Sequence, residues 1–258
     1  MKLSLCGLLD LSHYRIAKVQ LTKPGTTANR LLAALPEKAL GHLLARCEPI
    51  NLIFADVLCL PGERILHAYF PTDSFISLVA QIDGYAGLEV GIIGREGMFG
   101  TSLLLGVDVS PMHALVQGAG PALRIDADTF RRELQDFPAV QQALSRYLYV
   151  SISQLAQTAA CTRFHVVEAR LARWLSMTRD RARSDEFYLT QEFLSHMLGV
   201  RRVGVTKAAR SLQLQKLIRY NRGVITVLDR SGLEAAACSC YRADKQIYDR
   251  VLGSARQG

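Results

Sequence analysis

The window from Thr190 to Leu212 constrains this chain more than any other stretch. Thr190 can cap a helix, and Glu192 places an acidic group in its first turn. Leu194, Leu198, Val200, Val205 and Ala208 follow as apolar positions, with Gly199 between one helix and the next. Two short helices that cross at about 90–120° need three things. A small residue must stand where they touch, and Ser195 supplies it. The turn must admit unusual backbone angles, which Gly199 permits. Apolar side chains must fill the angle, and the five residues above fit. A helix-turn-helix is the expected result.

The second helix of this pair is expected from about Arg202 to Leu214, with Val205, Ala208 and Leu212 facing inward. Arg202, Val203, Thr206, Lys207 and Arg210 stand opposite. Cationic and hydroxyl groups near the N-terminal half of such a helix can reach base edges and phosphates in duplex DNA. Arg202 suits bidentate pairing with a guanine, Lys207 a base or a phosphate, and Val203 an apolar contact such as a thymine methyl. Arg201 and Arg210 suit phosphates, where most such contacts fall. Thr190 and Gln191, at the opening of the first helix, complete the candidate set. Leu217–Tyr220 and Val224–Val227 then read as two strands around the turn Asn221-Arg222-Gly223. A hairpin directly after a recognition helix is a wing, with Arg222 at its tip.

Charge agrees with this reading. Residues 161–258 carry 18 Lys+Arg against 9 Asp+Glu, a balance of +9, whereas residues 1–160 balance at −1. The basic excess therefore sits where a polyanion partner is expected, because cations gain free energy by releasing counterions condensed on phosphates.

Upstream, Asn29–Cys47 reads as a helical stretch interrupted by Pro36, with Asn29 as a cap. From Glu48 to Ile125, short apolar runs (Val57–Leu60, Ile65–Phe70, Phe75–Val79) alternate with turn signals at Pro61-Gly62, Pro71-Thr72-Asp73, Asp83-Gly84 and Gly94. That spacing predicts a small antiparallel barrel or sandwich. Asp126–Gln135 is a short helix stopped before Pro138, and a long helix follows from Ala139 to about Ala160. Val140, Leu144, Tyr147, Ser151, Leu155 and Thr158 recur on it at spacings of three and four, a seam suited to packing on the chain's own barrel and also to pairing with a second copy of the chain. A further amphipathic helix is expected from about Arg163 to Arg181, with Val167, Leu171, Trp174, Leu175 and Thr178 on one face.

The order barrel, long helix, linker helix and winged helix-turn-helix resembles the Crp/Fnr family of regulators over roughly residues 29–237. Gly94-Arg95-Glu96-Gly97-Met98-Phe99-Gly100 and Thr190–Val227 carry the resemblance most specifically. It implies an α+β fold: an N-terminal cyclic-nucleotide-binding-like antiparallel barrel (jelly roll), a long dimerisation helix, and a C-terminal winged helix-turn-helix. It also implies a DNA-binding homodimer on a palindromic operator, and contact with RNA polymerase if the protein activates. The corresponding division is an extension over 1–28, a sensor barrel over 29–137, a dimerisation helix over 138–161, a DNA-binding domain over 162–237 and a tail over 238–258.

The same resemblance places an effector pocket around Gly97, Met98, Phe99, Gly100, Thr101, Ser102 and His113. Relatives that bind cyclic nucleotides carry an acidic residue just after Phe-Gly and an arginine about ten residues later. Here those places read Thr101 and Ser110-Pro111-Met112-His113. A cyclic phosphate without its guanidinium partner loses a strong bidentate contact, so cyclic AMP binding in the family mode is not expected. The backbone amides of Met98-Phe99-Gly100 remain able to form an anion-binding nest.

Other chemistry finds little support. The six cysteines (Cys6, Cys47, Cys59, Cys161, Cys238, Cys240) are scattered, and Cys238-Ser239-Cys240 lacks the two-residue spacing of a zinc or redox pair. No iron–sulfur ligand set is read near the N-terminus, and neither His67 nor His113 lies in a haem motif. No nucleophile elbow, Walker loop or metal-ligand pair at helical spacing is read, so neither an enzyme nor a metal site is expected. No apolar run approaches the ~20 residues of a membrane span. A reduced, cytoplasmic protein without cofactor is the expectation.

Overall fold

A computed structural model describes residues 28–82 and 87–253. The expected extension over 1–28 and the turn at Asp83-Gly84 lie almost wholly or wholly outside the described residues.

Asn29 opens the described chain as a buried cap. Its Oδ1 accepts from the Leu32 amide (3.0 Å), and its Nδ2 donates to the Pro71 and Gly97 carbonyls. A short 3-10 turn (Leu32–Ala34) precedes helix α1 (Glu37–Arg46), and Pro36 separates the two as its fixed φ requires.

Seven strands follow: β1 (Glu48–Leu52), β2 (Val57–Cys59), β3 (His67–Pro71), β4 (Phe75–Ala80), β5 (Leu88–Ile93), β6 (His113–Gly118) and β7 (Gly120–Asp126). They form two antiparallel sheets, ordered β1-β7-β3 and β2-β6-β4-β5. The architecture is jelly-roll-like rather than a strictly closed barrel. Between the sheets lie Phe70, Ile76, Met98 and Ile125, closed off by Phe130 and Leu144 from the helices that follow.

Strand β4 shows why its sequence is apolar almost throughout. Successive side chains leave a strand on opposite faces. Ile76 and Leu78 enter the barrel core, whereas Phe75 and Val79 enter a second core shared with the C-terminal domain. On β5, Ile93 and Ile92 divide in the same way. One sheet is thus covered on both faces, and the two domains share it.

Asp126 caps helix α2 (Ala127–Asp136), accepting from the Asp128 and Thr129 amides. Pro138 then starts α3 (Pro138–Phe164), 27 residues or about 40 Å long. It runs past the expected end at Ala160 and includes Arg163. The chain extends at His165 and Val166 before α4 (Val167–Ala182), so α4 begins later than its amphipathic pattern suggests.

The C-terminal domain contains β8 (Glu186–Tyr188), α5 (Gln191–Leu198), α6 (Arg202–Leu214), β9 (Ile218–Asn221), β10 (Val224–Val227) and α7 (Arg230–Ala236). The sheet order is β8-β10-β9, so the expected hairpin gains a third strand. Residues expected to form a tail instead include helix α8 (Cys240–Leu252), whose Tyr248 and Leu252 pack into the barrel core beside α3. No helix among the described residues is long and apolar enough to cross a membrane.

Candidate nucleic-acid interface

Helix α5 starts where the cap predicts: the Thr190 hydroxyl accepts from the Phe193 amide at 3.1 Å. It ends at Gly199, whose φ of 60° is left-handed. There the Val200 amide returns to the Ser195 carbonyl at 2.9 Å. Ser195 is buried at the crossing, and Leu194, Leu198, Val205 and Ala208 fill the angle. The buried Arg170 of α4 donates to the Leu198 carbonyl, placing a cation at the negative end of α5.

Helix α6 is divided by burial as expected. Val205, Ala208, Ala209 and Leu212 face inward, whereas Arg202, Val203, Thr206, Lys207 and Arg210 are exposed, with Arg201 exposed just before them. Val203 stands 59% exposed, which leaves its apolar side chain in water. Thr206 donates to Gln191 Oε1 at 2.8 Å and to the Arg202 carbonyl at 3.0 Å. Gln191 and Thr206 are therefore brought together, and the start of α5 braces the centre of α6.

The wing is anchored to the same helix. The Tyr220 amide donates to Gln213 Oε1 of α6, and the Tyr220 hydroxyl donates to the Leu189 carbonyl at 2.6 Å. Arg222 and Gly223 occupy the turn with φ of 47° and 83°. Two consecutive positive φ values are the signature of a type I′ hairpin. Arg222 is exposed at the tip.

The barrel's Gly94–Gly100 turn has been taken over by packing. A Cβ on Gly97 would stand 1.9 Å from the Tyr147 hydroxyl of α3, so any larger residue must displace that ring. The Gly97 amide donates to the Gly94 carbonyl, and Phe99 exchanges both backbone bonds with Tyr69. Met98 and Phe99 are buried. Of the three amides of the expected Met98-Phe99-Gly100 nest, that of Phe99 is thus committed within the protein. Gly100 adopts a φ of 96° ahead of the 3-10 turn Thr101–Leu105, and Thr101 and Ser102 are half-buried. His113 is buried on β6, which pushes its pKa down and favours the neutral ring.

Glu96 pairs with Arg181 of α4 at 2.6 Å, and the Glu96 carbonyl accepts from the Tyr248 hydroxyl of α8. The turn is therefore the meeting point of barrel, α4 and α8. A cleft of about 610 Å³ opens there, lined by Arg95, Arg181, Arg230 and Lys245 among others. Asp180 and Glu96 neutralise three of these cations.

The expected dimer seam divides in two. Val140, Leu144 and Tyr147 are buried against the chain's own barrel, and Ser151, Leu155 and Thr158 are half-buried. The outward face of α3 lies a position or two along, at Gln142, Ser145, Tyr149, Ile152, Ala156, Ala159 and Arg163. These also recur at spacings of three and four, and Tyr149 and Ile152 are each 55% exposed.

Sequence reasoning missed one cluster outright. Cys161 and His165 stand four apart near the end of α3, a ligand pair at helical spacing, and they meet Cys238 and Cys240.

Fold and interface together define a winged helix-turn-helix domain with a jelly-roll-like companion domain. More particularly, residues 169–236 match the Crp-like helix-turn-helix domain family. No curated protein matches the sequence. Among solved structures, the chain is similar to the c-di-GMP responsive global regulator CLP of Xanthomonas campestris, at 16% identity and a TM-score of 0.62, covering 75% of this chain and 100% of that one. FixK2 of Bradyrhizobium japonicum gives 12% identity and a TM-score of 0.62, covering 75% and 98%. A CRP-family transcriptional regulator of Thermus thermophilus gives 18% and 0.61, covering 74% and 97%. At these identities the likeness concerns the fold.

Proposed function

We propose that this chain acts as a homodimer that binds a palindromic operator, one recognition helix α6 entering the major groove of each half-site. The observation that carries the reading is the exposed row Arg202, Val203, Thr206, Lys207 and Arg210 on a helix fixed from below by Val205, Ala208 and Leu212. Arg202 reads a guanine, Lys207 a base or a phosphate, and Val203 a thymine methyl. Arg201, Arg210 and Arg222 hold phosphates, while Thr190 and Gln191 set the position of the helix.

The partner copy docks along the outward face of α3 centred on Tyr149 and Ile152, so that two α6 helices reach successive major grooves about one duplex turn apart. The barrel serves as a sensor that does not take cyclic AMP in the family mode. It lacks the acidic residue and the arginine, and the Gly94–Gly100 turn is engaged by Tyr147 and Tyr69. Such a protein works in the cytoplasm and meets RNA polymerase if it activates. Binding to duplex carrying its own promoter, followed across a salt series, tests the reading: affinity should fall steeply with salt.

A further inference from the structure

The Cys161, His165, Cys238 and Cys240 side chains converge although 72 residues lie between His165 and Cys238 in the chain. Their four ligand atoms lie within 4.8 Å of one another. Cys161 Sγ stands 3.5 Å from Cys238 Sγ, and Cys240 Sγ stands 3.4 Å from His165 Nδ1. A tetrahedral zinc ion with ordinary Zn–S and Zn–N bonds holds two sulfurs about 3.8 Å apart, and a sulfur and a nitrogen about 3.6 Å apart. The donor spacing is that of one mononuclear ion. Iron–sulfur clusters spread their cysteines over several irons and need wider separations.

From these residues we infer a structural zinc site of the Cys3His type, which fastens the segment after α7 to the end of α3. Soft thiolates with one imidazole select zinc, and four protein donors leave no open position for substrate. The three cysteines are buried and His165 is half-buried, so the site is closed. An outer layer is in place. Gln157 Nε2 donates to Cys240 Sγ at 3.0 Å, and buried Arg173, which interacts with Cys161, offsets the surplus negative charge of three thiolates around a divalent ion. Arg173 is in turn held by Asp244 of α8 at 2.7 Å.

The location gives the site its consequence. His165 and Val166 form the break between α3 and α4, the junction of the long helix with the DNA-binding domain. The Cys238 amide lies against the Ala169 carbonyl of α4, and Cys240 begins α8. An ion bound here joins α3, α4 and α8 at one point and fixes the angle at that break. The inference does not depend on the operator reading.

The test uses the full chain purified without a metal-affinity tag. Elemental analysis should find one zinc per chain, released by a mercurial that titrates thiols. Replacement by cobalt should produce the ligand-field and thiolate charge-transfer absorption of a tetrahedral thiolate site. Cys240→Ser should lose zinc, Cys47→Ser should keep it, and His165→Cys, which preserves four donors, should also keep it. A chelator should lower the Tm of the wild type and leave that of Cys240→Ser unchanged. Metal-free protein with reduced thiols after zinc is supplied would overturn the inference. So would iron with inorganic sulfide, a Cys161–Cys238 disulfide under reducing conditions, or zinc retained by Cys240→Ser. Because zinc is read by content and spectrum, failure here leaves DNA binding untouched.

Discussion

Trp174 of α4 donates its indole N–H to Glu89 of β5 across 2.7 Å, joining the DNA-binding domain to the barrel through a buried bond. Ser77 donates to the other carboxyl oxygen at 2.6 Å. Burial raises the Glu89 pKa from 4.5 to about 7, outweighing these bonds and the Arg181 and Arg173 charges that favour ionisation. Between those two values the folded state holds a proton that the unfolded chain has released. Stability therefore falls as pH rises from the lower value to the upper, and the loss is complete above about 7. The expected change is on the order of 3 kcal/mol. Denaturant unfolding at about pH 5 and about pH 8 reads it, and Glu89→Gln, which keeps an acceptor for the indole, should flatten that part of the profile. An unchanged profile would count against the assignment.

Gly97 and Tyr147 offer a second test. Gly97→Ala brings a methyl into the Tyr147 hydroxyl and should cost roughly 1–3 kcal/mol through overpacking. Tyr147→Phe in the same chain opens space and should recover part of that loss. A non-additive double-mutant cycle measured by denaturant unfolding is the expected result, and strict additivity would show that the two side chains do not meet.

The two faces of α3 should respond differently. Ile152→Glu, on the outward face, should yield monomer in sedimentation with little change in monomer stability. Leu144→Ala, in the barrel core, should cost about 2–5 kcal/mol without a specific effect on assembly. A dimer that survives Ile152→Glu and Tyr149→Glu would place the partner elsewhere.

These outcomes separate what local sequence could show from what it could not. The helix-turn-helix was legible because its cap, its Gly199 turn and its apolar wedge lie within one window. The barrel strands were legible from alternation and turn residues. On α3, a spacing of three and four marks an apolar stripe but not its partner, and Val140, Leu144 and Tyr147 met the chain's own barrel. Strand β8 is three residues long and exists only by pairing with β10. Helix α8 lay beyond the segment that resembled a family, and its burial depends on α3. The Cys–His cluster escaped notice because its halves lie far apart in sequence, although the Cys161–His165 spacing was there to be read.

Within the interface, two arginines should behave differently. Arg202→Ala should relax preference at one base position of each half-site and cost ~1–3 kcal/mol on the preferred operator. Arg222→Ala should weaken all sequences about equally and reduce the salt slope by about 1. Binding of the two variants to an operator and to single-base variants of it checks this, and equal loss of discrimination in both would refute the two roles.

The central claim is that the α6 face and the wing bind duplex DNA. Fluorescence anisotropy of a labelled duplex containing the chain's own promoter, titrated with the full protein across a salt series, tests it most directly. The account predicts tight binding at low salt, a log–log affinity slope equivalent to several released counterions, and a shallower slope for Arg222→Ala. No binding to that duplex at low salt, or an affinity indifferent to salt, would contradict it.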